Sequence, residues 1–241
     1  MGGEAEVDIQ QEAAYKKRIY YDGISIQNGR PINMDSLMVK VRAVEGDRIC
    51  LAVICDGVGS LKSGTFASKA AVRYLDDWFG RLHDLQRIGP KMREAVLEIN
   101  ETITLQSKHR GIRSATTLSA LLLAAGRYYV VHAGDSRIYS YGADGLCLMT
   151  RDDVAPNGKL NKWIGNCQHL SPFYSEGFTE KRVFLLCSDG LYKRMSQTYL
   201  IRQLEQVRRG KMRTIVENLT QYVVDHGESD NISVALIKSR E

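Results

Sequence analysis

Four apolar runs in this sequence each meet an aspartate at one end. Residues 51–55 lead into Asp56 and Gly57, residues 128–133 lead through Gly134 into Asp135, and residues 183–187 lead through Ser188 into Asp189 and Gly190. In the fourth, Asp230 and Asn231 open the run 232–237. Apolar runs of this length and composition read as buried strands. A carboxylate at the lip of a buried strand is held rigidly yet still reaches solvent. Several converging carboxylates repel one another unless a cation sits between them. Hard oxygen ligands favour Mg²⁺ or Mn²⁺ over zinc, and no cluster of His and Cys competes for that role. The pattern therefore predicts a carboxylate-bound metal centre in a β-rich core. The alternative for each Asp-Gly pair taken singly is an ordinary turn, since Asp and Gly are the commonest turn formers. A hairpin turn, however, does not need the same acid after every core strand.

At 241 residues the chain is long enough to bury a sizeable core. No apolar stretch approaches the ~20 residues needed to span a bilayer, and no membrane partner is expected. The first ten residues lack the basic start and apolar centre of a signal peptide. Gly2 follows Met1, but Glu6 stands where a myristoylation motif carries Ser or Thr. The five cysteines form no CxxC pair and no disulfide framework. Cys55 and Cys187, inside the apolar runs, are expected as buried free thiols, which suits a reducing cytoplasm. A net charge of +5 would attract acidic or phosphorylated partners. The densest basic cluster, 208–213, has no interleaved aromatics and falls between two expected helices. It reads as a solvated connection, and nucleic acid is not an expected partner.

Residues 1–14 read as a loose tail, and 15–241 as one domain. Residues 18–26, 36–42 and 49–55 carry strand patterns, with a turn-rich loop at 28–35. Periodicity then turns helical. The stretch 63–79 places Phe66, Ala70, Ala71, Tyr74, Leu75 and Trp78 near one face, and a second helix starting at Gly89 and Pro90 carries Met92, Val96, Ile99 and Ile103. Strands are expected again at 116–124, 128–133 and 137–141. Residues 142–181 read as an irregular excursion, a short flap. Helices at about 198–208 and 213–226 precede a last strand. Strands dominate the middle while helices come in pairs, which argues against a βαβ parallel sheet. The expected class is α+β, with two mainly antiparallel sheets and helices outside.

In order, the chain carries Arg30, Asn33 and Asp35; Asp56 to Gly59; Ser114, Ala115, Thr116 and Thr117; Gly134, Asp135, Ser136 and Arg137; Ser188 to Leu191; and Asp230 to Ser233. This series resembles the metal-dependent protein phosphatases of the type 2C (PPM) family, in their compact bacterial form. The resemblance runs from residue 30 to 237. It implies a β-sandwich of two antiparallel sheets flanked by helix pairs, in α-β-β-α layers. It implies a phosphoserine/phosphothreonine phosphatase that uses two catalytic Mn²⁺ or Mg²⁺ ions and attack by a metal-bridging hydroxide. By position, Asp56 would bridge the two ions and the Gly57 carbonyl would bind one of them. Asp189 and Asp230 would complete the other ion's shell, and Asp135 would hold a third, weaker ion. Arg30 would bind phosphate, and Asp35 would orient metal-bound water. Asn231 and Ser136 are expected to support the site or its turns. Implied partners are phosphorylated Ser/Thr proteins and a cognate Ser/Thr kinase, acted on by a monomer.

The chemistry accounts for these residue types on its own. Phosphate-monoester hydrolysis is extremely slow unaided, so a site must supply a nucleophile and cancel charge. Two cations about 3.5–4 Å apart can share a water and lower its pKa, while a guanidinium binds two phosphoryl oxygens at once. No Cys-x₅-Arg signature and no Ser-His-Asp arrangement competes. Three positions depart from the family pattern. Met34 stands where relatives often carry an acid or amide. Val58 stands where animal members have a histidine, which leaves leaving-group protonation to a metal-bound water. Lys193, four after Asp189, stands where some relatives have a further acidic ligand, and a lysine there opposes a third ion. Met34 and Lys193 are the support for an alternative, a non-catalytic phosphoprotein-binding module. His132 is expected as a packed strand histidine rather than a ligand.

Overall fold

Cys50, Ala52 and Ile54 are buried in one hydrophobic cluster and Leu51, Val53 and Cys55 in another, on the opposite face of the same strand. Successive side chains on a strand alternate faces, so a run that is apolar at every position must be covered on both sides. The computed structural model describes residues 18–59, 63–165, 169–207 and 212–240 and shows what covers them.

The strands are β1 (Arg18–Ile26), β2 (Ser36–Val44), β3 (Asp47–Cys55), β4 (Leu118–Ala124), β5 (Arg127–Ala133), β6 (Arg137–Gly142), β7 (Gly145–Leu148), β8 (Phe173–Phe178), β9 (Val183–Cys187) and β10 (Ile232–Arg240). The helices are α1 (Gly64–Gly80), α2 (Ile88–His109), α3 (Asp189–Tyr192), α4 (Gln197–Gln206) and α5 (Met212–Asp225). One five-stranded sheet has the order β1-β10-β9-β6-β7 and the other β2-β3-β4-β5-β8. Every pairing is antiparallel. Between the sheets lie Cys50, Ala52, Ile54, Leu121, Phe184, Leu186 and Ala235. The outer face of the β3–β4 sheet packs on α1 and α2 through Leu51, Val53, Leu75, Met92, Val96 and Leu122. The outer face of the β9–β10 sheet packs on α4 and α5 through Leu185, Leu204, Val216, Leu219 and Val234. The expected α-β-β-α sandwich is what the chain forms.

Three expectations need correction. Residues 142–181 are not wholly irregular, since they contain β7 and β8. Both are edge strands, pairing on one side only, so their side chains are largely half-buried or exposed; β7 is only four residues long and β8 is interrupted by Ser175, Glu176 and Gly177. The start of β4 is Leu118 rather than Thr116, because Thr116 instead makes isolated bridges with Gly57 and Ile164. On α1 the core stripe is Ala67, Ala71, Leu75 and Phe79, while Phe66, Ala70, Tyr74 and Trp78 are only partly buried. The stripe on α2 is buried as expected. The tail at 1–14 and most of the basic cluster, Arg208, Arg209, Gly210 and Lys211, lie outside the described residues.

Candidate metal centre

Asp56 follows the last residue of β3, and its backbone is clamped from the neighbouring strand. Its N–H donates to Thr117 Oγ1 at 2.9 Å, and its carbonyl accepts from Thr117 N–H at 2.8 Å and Thr116 Oγ1 at 2.9 Å. Thr117 Oγ1 also lies 2.8 Å from Ser136 Oγ, beside Asp135. The lips of β3 and β6 are thus tied through one threonine.

Two glycines explain why acid and glycine occur together. Neither Gly57 nor Gly190 has a positive φ, so neither is required by a left-handed turn. A Cβ on Gly57 would lie 2.6 Å from the Gly64 carbonyl carbon and 2.8 Å from Met34 O, and one on Gly190 only 2.1 Å from Asn231 O. These glycines let backbones approach. Gly190 seats α3 on the start of β10, which brings Asp189 and Asp230 to the same lip. Asn231 secures the third wall, because its Nδ2 donates to the carbonyls of Gln27 and Ile32 and its Oδ1 accepts from Met34 N–H at 2.9 Å. The loop carrying Arg30 is thereby held against β10.

The result is a cavity of about 190 Å³ whose walls include Arg30, Gly57, Asp56, Asp135, Asp189 and Asp230. Four aspartates separated by up to 174 positions share one small space. Met34, Val58, Thr117 and Leu160 complete much of the remainder. Asp35 does not line it. That carboxylate is buried behind the cavity against Asp56, with Oδ2 accepting from Ser233 Oγ at 2.7 Å and Oδ1 left without a partner.

The electrostatics follow from this crowding. Burial, then the charges of Asp35, Asp189, Asp135 and Asp230, hold the Asp56 carboxyl well above the ordinary carboxylate range. Burial and Asp189 push Asp135 up to about 6. Burial is also the largest cause for Asp35, raised to about 6 against the opposing hydrogen bonds of Ser233 and Ser188. A divalent cation would relieve these costs, and the hard oxygen donors suit Mg²⁺ or Mn²⁺. Four hard carboxylates on one cavity, with the unpartnered Oδ1 of Asp35 buried behind them, fit such an ion.

Two of the carboxylates are already engaged by cationic side chains. Arg30 grips Asp230 with Nε at 2.9 Å and Nη2 at 2.7 Å, and Lys193 Nζ donates to Asp189 Oδ2. Among the described residues, no three His, Cys, Asp or Glu side chains close on a single point as a ready metal cage. With their oxygens paired to Arg30 and Lys193, Asp230 and Asp189 would have to change partners to hold an ion.

The expected residues are therefore brought together, with Asp35 one layer behind. The sequence reading gave no role to Thr117, Ser188 and Ser233, whose hydroxyls hold Asp56 and Asp35. Thr117 lies in the hydroxyl-rich run 114–117 and Ser188 directly precedes Asp189, but Thr117 and Ser233 are 61 and 198 positions from the acids they hold. His132 is buried, with Nε2 3.1 Å from the Arg151 carbonyl and Nδ1 2.9 Å from Ser119 Oγ, as a packed histidine should be.

Known proteins show the same plan. The chain is 27% identical over 217 residues to the serine/threonine phosphatase stp of Listeria monocytogenes, covering 78% of this chain and 84% of that protein. It is 25% identical over 208 residues to the serine/threonine protein phosphatase PstP of Mycobacterium tuberculosis, covering 77% of this chain and 40% of that one. A bacterial serine phosphatase superposes with a TM-score of 0.82 at 20% identity, over 92% of this chain and 98% of its own. The catalytic domain of PstP in complex with two manganese ions superposes with a TM-score of 0.80 at 23% identity, over 94% and 100%. Residues 25–227 match the family model described as protein phosphatase 2C, so the chain belongs to that family.

Proposed function

We propose that this protein hydrolyses phosphoserine and phosphothreonine in proteins, with divalent cations held by the four strand-end aspartates. The observation that carries this reading is that Asp56, Asp135, Asp189 and Asp230 share one cavity with Arg30. Two relatives named serine/threonine phosphatases support it. The comparisons lend no support to the non-catalytic alternative.

Asp56, Asp189, Asp230 and the Gly57 carbonyl would hold two catalytic ions, Mn²⁺ or Mg²⁺, and Asp135 a third. When bound, such ions supply Lewis acidity and an activated water. Arg30 already presents a planar pair of N–H donors to the two oxygens of Asp230, and the same pair would grip two phosphoryl oxygens. The buried Asp35 carboxylate, fixed by Ser233, would steer Asp56 and the water beside it. Val58 brings no proton donor to the cavity, so a water held at the site, rather than this side chain, would protonate the leaving group.

We take residues 15–241 as one catalytic unit, with 142–181 as its flap. Leu160 of that segment reaches the cavity, and Asp153 N–H donates to the Gly134 carbonyl at 2.7 Å. We also place the protein in the cytoplasm, as a monomer acting on targets of a Ser/Thr kinase. Free thiols at Cys50, Cys55, Cys147 and Cys187 support a reducing compartment. Among the described residues, no helix is long and apolar enough to cross a membrane. The test is hydrolysis of p-nitrophenyl phosphate and a phosphothreonine peptide with Mn²⁺, with Mg²⁺ and in EDTA. Turnover that persists in EDTA, with metal content shown to be nil, would overturn the reading.

A further inference from the structure

Phe66 and Tyr74 of α1 are only partly buried, and together with α2 they line a groove of about 570 Å³. Three exposed cations rim it. Lys69 and Arg73 stand one turn apart on α1, and Arg110, just past the end of α2, lays its guanidinium over the Phe66 ring at 4.7 Å. The acids lie toward the other end, where Asp77 of α1 lines the groove and Glu98 of α2 accepts from Tyr74 Oη. Among the described residues, no carboxylate is in ion-pair distance of Lys69, Arg73 or Arg110. The groove is thus apolar along its floor and basic at one end.

The groove begins close to the catalytic cavity. Gly57 lines the cavity and packs directly on Gly64, the first residue of α1, while Thr65 and Phe66 open the groove. A helix rises about 1.5 Å per residue, so Lys69 and Arg73 stand roughly 8 and 14 Å along α1 from Gly64. An extended peptide advances about 3.3 Å per residue. Allowing for the step from cavity to helix, these cations meet residues roughly three to six positions from a phosphorylated side chain held at the aspartates.

We infer that the α1–α2 groove is a substrate-docking site that selects phosphoproteins with acidic residues three to six positions from the phosphoserine or phosphothreonine, read by Lys69, Arg73 and Arg110. Phe66 and Tyr74 supply the apolar floor for the intervening side chains. Along α1 a strand of acidic substrate meets no like charge until Asp77, which limits how far it extends. The selection rests on the phosphatase reading for its catalytic consequence, while binding in the groove does not.

The test compares phosphothreonine peptides bearing three Glu residues at positions three to six, on either side of the phosphothreonine, with peptides carrying Gln instead. The readout is the ratio of kcat/KM for the Glu and Gln peptides on the same enzyme, into which a general loss of activity does not enter. Wild type should favour one Glu peptide by roughly five- to tenfold, as two or three exposed ion pairs allow, and less at high salt. The ratio should collapse towards one in Lys69→Glu/Arg73→Glu and fall in Arg110→Glu, each with an unchanged circular dichroism spectrum. A wild-type ratio near one for both placements, or a ratio that survives both charge reversals, overturns the inference. Failure of the phosphatase reading shows separately, as absence of Mn²⁺-dependent turnover of p-nitrophenyl phosphate. Fluorescence anisotropy of labelled, unphosphorylated Glu and Gln peptides then decides. Preference for Glu that the double variant loses supports the groove, and equal binding of the two sinks it.

Discussion

The ammonium of Lys193 rests on the carboxylate of Asp189, one helical turn earlier in the short helix that follows β9. The same lysine feels the charges of Asp135 and Asp230. It is a built-in cation at the edge of a site that attracts cations, and any ion that recruits Asp189 must displace it. Lys193→Met should therefore tighten Mn²⁺ binding by about tenfold, a modest factor because the lysine is half exposed. Isothermal titration of the metal-free protein measures this directly. Weaker binding in the variant would show that Lys193 assembles the site rather than competing for it.

Replacing Asp56 or Asp189 with Asn separates catalysis from folding. Each change removes a charge that would balance a dication pair, so kcat should fall by roughly 10²-fold or more. The Asp56 carboxyl is held at high pKa by burial and four neighbouring acids, so its loss should leave the Tm in EDTA equal to or above that of the parent. Near-parental kcat in Asp189→Asn would reduce that carboxylate to a helix-start residue.

How far the sequence could reveal this site depends on which features leave a periodic trace. The central strands β3, β4, β9 and β10 are apolar at nearly every position because both faces are covered, and their ends place Asp56, Asp189 and Asp230. The edge strands fall within a stretch that reads as irregular, because β7 is only four residues long and β8 is interrupted by Ser175, Glu176 and Gly177. The stripe on α1 was displaced because Phe66 and Tyr74 are large and apolar yet face a groove, so hydrophobicity alone points to the wrong side. Pairing partners left no trace at all. That Arg30 lies on Asp230, 200 positions away, is a fact of the tertiary structure.

Gly190 tests the claim that a close backbone approach, rather than a turn, accounts for the glycine after Asp189. A methyl group at this position would collide with the Asn231 carbonyl, which is backbone and cannot swing aside. Gly190→Ala should cost about 2 kcal/mol or more and displace Asp189 from Asp230. Gly80→Ala, with nothing within 4 Å of the added carbon, serves as the comparison and should be neutral. Equal urea midpoints for the two variants would contradict the packing argument.

Arg30→Ala distinguishes substrate grip from metal assembly. The guanidinium now satisfies Asp230, so its loss frees a carboxylate while removing a phosphate-binding group. KM for a phosphopeptide should rise by about tenfold, with a smaller loss in kcat. Mn²⁺ affinity should hold or tighten. Unchanged kcat/KM would remove Arg30 from the reaction, and lost metal binding would assign it a structural role.

His132 gives the fold a pH dependence that needs no metal. Burial is the largest influence on the ring and holds its pKa below the ordinary histidine value, despite the opposing charge of Asp153. Its Nε2–H donates to the Arg151 carbonyl, which leaves Nδ1 to face Ser119. The folded protein thus takes up its proton at lower pH than the unfolded chain does. Where the unfolded chain holds more protons, stability rises with pH. Stability from this group is therefore complete above the unfolded value of about 6.5 and is lost as pH falls from there towards the folded pKa. In EDTA, the Tm of the parent should drop more steeply between pH 7 and pH 5 than that of His132→Gln, which cannot titrate. The quantity to plot is the difference in Tm between the two proteins against pH. A difference that narrows as pH falls agrees with a neutral, buried ring. A difference that widens would mean the ring is charged in the folded protein, held so by Asp152 and Asp153, and the sign of the linkage would be reversed.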